Sequence, residues 1–250
     1  MIETVKKVII TRDRDKAAPL MAALEPYSVL SYAVPVTKTV FDISKTIPED
    51  LNEYNCVAFT SAVAVEALSK ILNKSGLNLK RGLKIFAVGS STAAAAENAF
   101  GKPDLAPEKS DAGSLATGII EKMGDPRTIK AFWPCGVDAL PDFREILAEA
   151  GADITRWECY RTEALDSERI RSELQALSPW DLVFFAAPSA VKAFSDAWED
   201  RSGFVPVAIG PTTQRALESA GYDNVITSKG TTVIKCAGAI VDALRLKAWS

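Results

Sequence analysis

The feature that most constrains this chain is a rhythm. Short apolar runs, each long enough for one buried strand, alternate with helix-forming stretches, and the turn between them carries a glycine or a hydroxyl residue. The clearest instance is Val207 to Gly221, VAIGPTTQRALESAG, where a strand-like run passes through Gly210-Pro211-Thr212-Thr213 into a helix closed by Gly221. A fainter copy, FAVGSSTAAAA from Phe86 to Ala96, lies about 121 positions earlier. Runs this short, apolar throughout and bounded by turn residues, suit strands covered on both faces, and their alternation with helices implies parallel sheets with helices on either side.

Taken in order, the pattern predicts strands at Val8–Thr11, Ser28–Val36, Cys56–Thr60, Leu83–Val88, Ile129–Trp133, Ile154–Tyr160, Asp181–Phe185, Val205–Ile209 and Val225–Thr227. Helices are predicted at Lys16–Leu24, Ala62–Leu72 behind an N-cap at Ser61, Thr92–Phe100, Asp111–Met123 opening on Ser110-Asp111, and Ala139–Ala150. Gly151 closes the last of these, and three more follow at Ala190–Trp198, Thr213–Ala220 and Thr232–Leu246. Polar stretches at Thr37-Lys38-Thr39 and Arg161-Thr162-Glu163 read as crossings between domains.

A second repeat supports two domains over one wide sheet. CVAFTSAVAVEAL from Cys56 resembles LVFFAAPSAVKAF from Leu182, displaced by about 126 positions, so two features recur in one order at nearly one offset. A chain of 250 residues divides naturally into two cores, since domains cluster near 100 to 150 residues. The strands before Pro35 are needed to complete the C-terminal sheet. The expectation is therefore an α/β protein of two similar parallel-sheet domains facing a cleft and joined by a two-segment hinge. Residues 1–37 and 162–250 form one domain and residues 38–161 an inserted one.

Composition removes several functions. The net charge is −3, so no basic field points to a nucleic-acid backbone. The chain has no histidine, and its four cysteines lie apart without a CxxC pair. Histidine-based triads, imidazole acid–base chemistry and His-rich metal sites are excluded, and no carboxylate cluster suggests a metal. No metal site is expected. The N-terminus lacks a signal-peptide core and no run approaches 18 apolar residues, so the reading is a cytoplasmic protein with reduced thiols and no membrane partner.

In parallel α/β sheets ligands lie beyond the carboxyl ends of the strands. The turns there are Thr60-Ser61, Gly89-Ser90-Ser91-Thr92, Pro134-Cys135-Gly136-Val137-Asp138, Pro188-Ser189 and Gly210-Pro211-Thr212-Thr213. Most offer hydroxyls and backbone N–H groups at helix N-termini, which receive carboxylates or phosphates. Any one of them can equally be an N-cap that stabilises its helix by about 1 kcal/mol. Several together suit a small molecule with many negative groups.

The ordered set FTSAVAV, AVGSSTA, ECYRTEA, FFAAPSAV and AIGPTTQRALESAGY, beginning after TRDRD at Thr11, resembles the uroporphyrinogen-III synthase family over nearly the whole chain. The resemblance implies a monomeric, cofactor-free enzyme whose substrate is hydroxymethylbilane, a linear tetrapyrrole with eight carboxylates. The ring is closed with inversion of ring D and loss of water. It also implies Tyr160 as the group assisting departure of the hydroxyl. Substrate contacts are implied at Thr60, Ser61, Gly89, Ser91, Thr92, Gly136, Ser189, Gly210, Thr212 and Thr213. Three positions depart from the family pattern: Cys135 where an arginine is frequent, Ala186-Ala187 where a serine is common, and Asp13 in place of a proline. Cys159 beside Tyr160 reads as a small buried side chain and not as a nucleophile. Two other readings stand beside this one: a cytoplasmic two-domain protein that binds a polyanionic small molecule without catalysis, and, less favoured for want of GxGxxG or DxD, a nucleotide-sugar transferase.

Overall fold

Parallel strands can be joined only by crossovers, and here every crossover of the two sheets is a helix. The computed structural model describes residues 5–42, 47, 51–106 and 111–247, so the expected opening of a helix on Ser110 lies outside the described residues. In chain order the elements are β1 (Lys6–Ile10), α1 (Arg14–Leu24), β2 (Val29–Ala33), β3 (Thr37–Phe41), β4 (Cys56–Phe59), α2 (Ala62–Ser75), β5 (Lys84–Ala87), α3 (Gly89–Phe100), α4 (Ala112–Met123), β6 (Lys130–Gly136), α5 (Asp142–Glu149) and β7 (Asp153–Ala164). They continue with α6 (Ser167–Leu177), β8 (Leu182–Phe185), α7 (Pro188–Ala197), β9 (Val205–Ala208), α8 (Pro211–Ser219), β10 (Ile226–Thr227) and α9 (Val233–Lys247). The chain divides into two compact units, Met1–Lys38 with Thr162–Ser250, and Thr39–Arg161.

The first unit holds a five-stranded sheet in the order β10-β9-β8-β1-β2, parallel at every pairing. Its centre is held by Ile9 opposite Val183 and Ile10 opposite Phe184, residues far apart in sequence. One face buries Val183, Phe185 and Ala208 under α6, α7 and α8, through Leu174, Phe194 and Leu217. The other buries Val8, Ile10, Phe184 and Val207 under α1 and α9, through Leu20, Leu24 and Ile240. Asp181, just before β8, accepts from the Lys6 ammonium and the Lys7 backbone N–H, both at 3.0 Å, and so pins the start of β1.

The second unit repeats the plan in the order β3-β7-β6-β4-β5. Helices α2 and α3 cover one face, where Leu68, Ile71 and Ala96 meet Val57, Phe59 and Phe132. Helices α4 and α5 cover the other, where Leu115, Ile119, Phe143 and Leu147 meet Ala58, Phe86 and Trp133. β4, β5, β6 and β7 pair in parallel. The edge strand β3 runs against them: Asp42 N–H donates to the Cys159 carbonyl and Leu165 N–H to the Val36 carbonyl, a ladder in which one partner's number rises as the other's falls.

The two units correspond strand by strand. β5-β4-β6-β7 of one matches β9-β8-β1-β2 of the other, and a single parallel bridge between Phe86 and Leu105 stands where β10 stands in its counterpart. The unit β6-α5-β7 that closes one repeat matches β1-α1-β2, which opens the chain. The two sheets are thus one plan in two circular orders, and the sequence repeat at Cys56 and Leu182 begins the matching strands β4 and β8.

The structure corrects or adds to the expected elements at four places. The polar run Thr37-Lys38-Thr39, read as a crossing between domains, forms most of β3: β-branched Thr and Val residues suit an edge strand whose outer groups stay wet. Arg161-Thr162-Glu163 likewise continues β7. Helix α6 was not expected at all; its sequence SERIRSELQAL carries only Ile170 and Leu174 as buried anchors, with Asp166 as N-cap accepting from Arg169 N–H at 2.9 Å. Gly89, Ser90 and Ser91 are the first turn of α3 and not a loop before it.

Phe184, on the central strand β8, is fully buried. Phe184→Ala is expected to destabilise its unit by about 3–5 kcal/mol. Hydrogen exchange should show the loss in the amides of β1 and β8 while those of β4 and β6 keep their protection.

Candidate functional site

In the second unit two of the expected residues, Ser61 and Gly136, meet Tyr160. Its hydroxyl lies 2.9 Å from Ser61 Oγ, and the same oxygen of Ser61 accepts from Ala64 N–H at 3.1 Å as the N-cap of α2. Ser61 is therefore a link between a helix N-terminus and a phenol. Next to it, Thr60 Oγ1 accepts from the indole N–H of Trp133 at 3.1 Å. Trp133 is buried on the opposite face of the sheet, so Thr60 ties the two sides together.

A backbone irregularity aims the phenol. Along β7 strict alternation places Trp157 and Cys159 in the core under α2 and would send residue 160 to the other face. Between Cys135 and Gly136 the register shifts, so that Cys135 lies opposite Glu158 but Gly136 opposite Tyr160. Cys159 is the extra residue of a β-bulge, and the strand beyond it is turned so that Tyr160 packs on the α2 side, within reach of Ser61. The ring then lies against Gly136: a Cβ there would stand 2.9 Å from two ring carbons. Gly136 is present because the phenol occupies the space of its side chain.

Burial, the largest influence, raises the Tyr160 pKa above its ordinary value; the Ser61 hydrogen bond opposes this, and the neighbouring Cys159, Cys135 and Asp138 add to it. The phenol is protonated throughout the neutral range and can act as a donor. Cys159 is fully buried with its thiol directed 3.6 Å from the Cys135 carbonyl, which fits the expectation of a packing residue. Burial pushes the Cys56 thiol up to about 12, so it too is no thiolate. At the next turn Gly89 has φ of 69°, a conformation that favours glycine, and opens α3 with Ser91 exposed and Thr92 buried.

In the first unit the expected residues stand at two helix starts. Gly210 and Ala187 are the N-caps of α8 and α7, each followed by proline at the first helical position and neither supplying a side-chain cap. The first-turn N–H groups of these helices therefore face outward without a side-chain acceptor of their own cap residue. Ser189 and Thr212 are exposed on these turns, and Thr213 is buried against the sheet.

Two residues at the same sheet end escaped sequence reasoning. Thr11 is buried and donates from Oγ1 to the Phe184 carbonyl at 3.0 Å, joining the ends of β1 and β8. Ser228, also buried, donates to the Gly230 carbonyl at 2.6 Å and shapes the turn from β10 into α9. The signal for Ser228 was present in TSKGTT, a hydroxyl–glycine–hydroxyl turn of the kind seen in GPTT. Thr11 carried no local signal, because its partner is distant in sequence.

Among the described residues no group of His, Cys, Asp and Glu is arranged to hold a metal ion, and no helix is long and apolar enough to cross a membrane.

The fold and these turns define a class: an α/β protein of two doubly wound parallel-sheet units, each presenting hydroxyls and helix N-termini at the carboxyl ends of its strands. Comparison narrows it. The family model described as uroporphyrinogen-III synthase HemD matches residues 18–236. The chain is 28% identical to uroporphyrinogen-III synthase of Chlorobaculum parvum, over 96% of this chain and all of that one. It is 27% identical to the chloroplastic uroporphyrinogen-III synthase of Oryza sativa subsp. japonica, over 95% of this chain and 80% of the other. In fold it is similar to the uroporphyrinogen-III synthetase of Helicobacter pylori, with a TM-score of 0.69 at 19% identity, covering 96% of this chain and 99% of that one. A Thermus thermophilus uroporphyrinogen III synthase variant gives 0.62 at 20% identity, covering 96% and 99%. The chain belongs to the uroporphyrinogen-III synthase family, enzymes of porphyrin biosynthesis.

Two measurements test the local geometry. Gly136→Val, which forces a branched side chain into the Tyr160 ring, is expected to destabilise the second unit by about 1–3 kcal/mol and to disturb the Ser61 contact, read from the Tyr160 ring shifts in NMR spectra. The raised Tyr160 pKa means that the folded protein keeps a proton the unfolded chain loses above about pH 10. The associated stability is intact below that pH and is lost as pH rises through the folded-state value. Denaturation midpoints taken through this alkaline range should fall less steeply in Tyr160→Phe than in the parent.

Proposed function

We propose that the protein cyclises hydroxymethylbilane to uroporphyrinogen III, closing the macrocycle with inversion of ring D and releasing one water. The observation that carries this is the family match across residues 18–236, most of the chain. The site reading adds the chemistry. Loss of the hydroxymethyl oxygen as water leaves a conjugated azafulvene cation; ring D attacks it through its substituted carbon to give a spiro intermediate, which fragments and recloses. The protein supplies a donor for the departing hydroxyl and a fold for the chain of pyrroles, a positioning effect.

In this reading Tyr160 donates its phenolic proton to the leaving oxygen, with Ser61 holding the hydroxyl at 2.9 Å in a defined direction. The substrate's carboxylates are received at Thr60, Gly89, Ser91, Thr92 and Gly136 in one unit and at Ser189, Gly210, Thr212 and Thr213 in the other. Support comes from the helix starts at α7 and α8, whose cap residues bring no side-chain acceptor. No metal or organic cofactor is needed, and the protein would work as a cytoplasmic monomer without a nucleic-acid or membrane partner. The reading of a binding protein without catalysis has no comparable support.

The test is direct. Freshly generated hydroxymethylbilane is supplied, the products are oxidised and the uroporphyrin isomers are resolved. Isomer III in excess over the spontaneous isomer I is expected; isomer I alone would sink the proposal. Tyr160→Phe should lower the rate of isomer III formation on the order of tenfold, below the 10²–10⁴ typical of a general acid, because the bilane also cyclises unaided.

A further inference from the structure

Arg156 has no part in the function described so far, yet it reaches the turn that frames Tyr160. It sits on β7 directly opposite Trp133, and its guanidinium lies 5.5 Å from the centre of the Trp133 ring. One of its terminal nitrogens donates to the Val137 carbonyl at 2.7 Å and lies 3.2 Å from a Glu158 carboxylate oxygen. The Val137 N–H donates in turn to the Tyr160 carbonyl at 3.0 Å. The turn after Gly136 is therefore held on both sides of one residue, by the Tyr160 backbone and by a charged donor, while the Val137 side chain itself is exposed.

The guanidinium is held in this place at a cost. Its Nε is buried with no hydrogen-bond partner among the described residues, which an arginine chosen only for exposed charge would avoid. What the placement secures is the turn. Gly136 lies in contact with the Tyr160 ring, and a turn free to lift away would release the phenol from that contact. Through Trp133 the same arginine also backs Thr60, the residue before Ser61. One cation thus stands behind both Val137 and Thr60.

We propose that Arg156 is a positioning residue for the departure of the hydroxymethyl oxygen, holding the Gly136–Val137 turn against Tyr160 through its bond to the Val137 carbonyl. This rests on the reading of Tyr160 as the proton donor. A charge-assisted donor with a planar face suits the task, because it bonds the carbonyl while packing on the indole.

The experiment is a double-mutant cycle with hydroxymethylbilane as substrate. Arg156→Met keeps the stem and removes the donor; it is expected to lower kcat for isomer III about tenfold with KM changed less than threefold, and to raise the share of isomer I at saturating enzyme. Arg156→Lys, which keeps a cationic donor, should recover part of the loss. In a Tyr160→Phe background the effect of Arg156→Met should shrink to about twofold or less. A variant that is only less stable would lose folded protein, seen in its Tm, yet keep its isomer ratio once enzyme is in excess. Equal losses in both backgrounds, an unchanged isomer ratio, or wild-type kcat in Arg156→Met would overturn the proposal alone. If the unmodified protein yields isomer I only, the functional reading fails and this inference with it.

Discussion

Parallel pairing of short strands is the constraint on which the rest of this protein depends. Such strands bury both faces, need helices to connect them, and leave their carboxyl ends as the place where backbone donors are not consumed by the ladder. β4 and β8, with every residue buried, are the plainest result. The hydroxyl-rich turns are where they are because each strand must hand over to a helix whose first N–H groups have no partner within the helix. The proposed grip on a polyanion uses what the fold has to leave open.

The same constraint explains what could be read from the sequence. Central strands are apolar throughout and stand out, so the α/β class and most strands were legible. Edge and surface elements are not: β3 borrows polar β-branched residues, and α6 has a narrow apolar stripe of Ile170 and Leu174 in an otherwise charged segment. At the candidate site Ser61 was legible as a helix cap from its place between strand and helix. Tyr160 came from resemblance alone, and nothing local could have paired the two. Their contact depends on a bulge at Cys159, and a bulge leaves no mark in residue types when both neighbours suit a strand. Thr11 and Ser228 show the complementary case, polar side chains whose roles are set by carbonyls on distant strands or within one turn.

The correspondence of the two units under a circular change of order shows that strand adjacency, and not chain direction from start to end, is what the sequence repeat preserves. Where a glycine is used differs between the copies. Gly89 takes a left-handed backbone, whereas Gly210 is extended and serves by presenting no side chain at a helix start. Matching motifs therefore do not mean matching mechanics, and the second unit alone carries the phenol.

The crossing of β1 and β8 at the centre of the first sheet bears on how the protein emerges during synthesis. β1 and β2 are made first but β1 has its other partner only when residues 182–184 have left the ribosome. The unit from Thr39 to Arg161 is contiguous and can complete itself in the meantime, so the order of folding is inverted relative to the order of the sheets along the chain. The β1-α1-β2 unit must wait with one edge of a buried strand uncovered, a window in which a chaperone or a neighbouring nascent chain has access to Val8, Ile9 and Ile10.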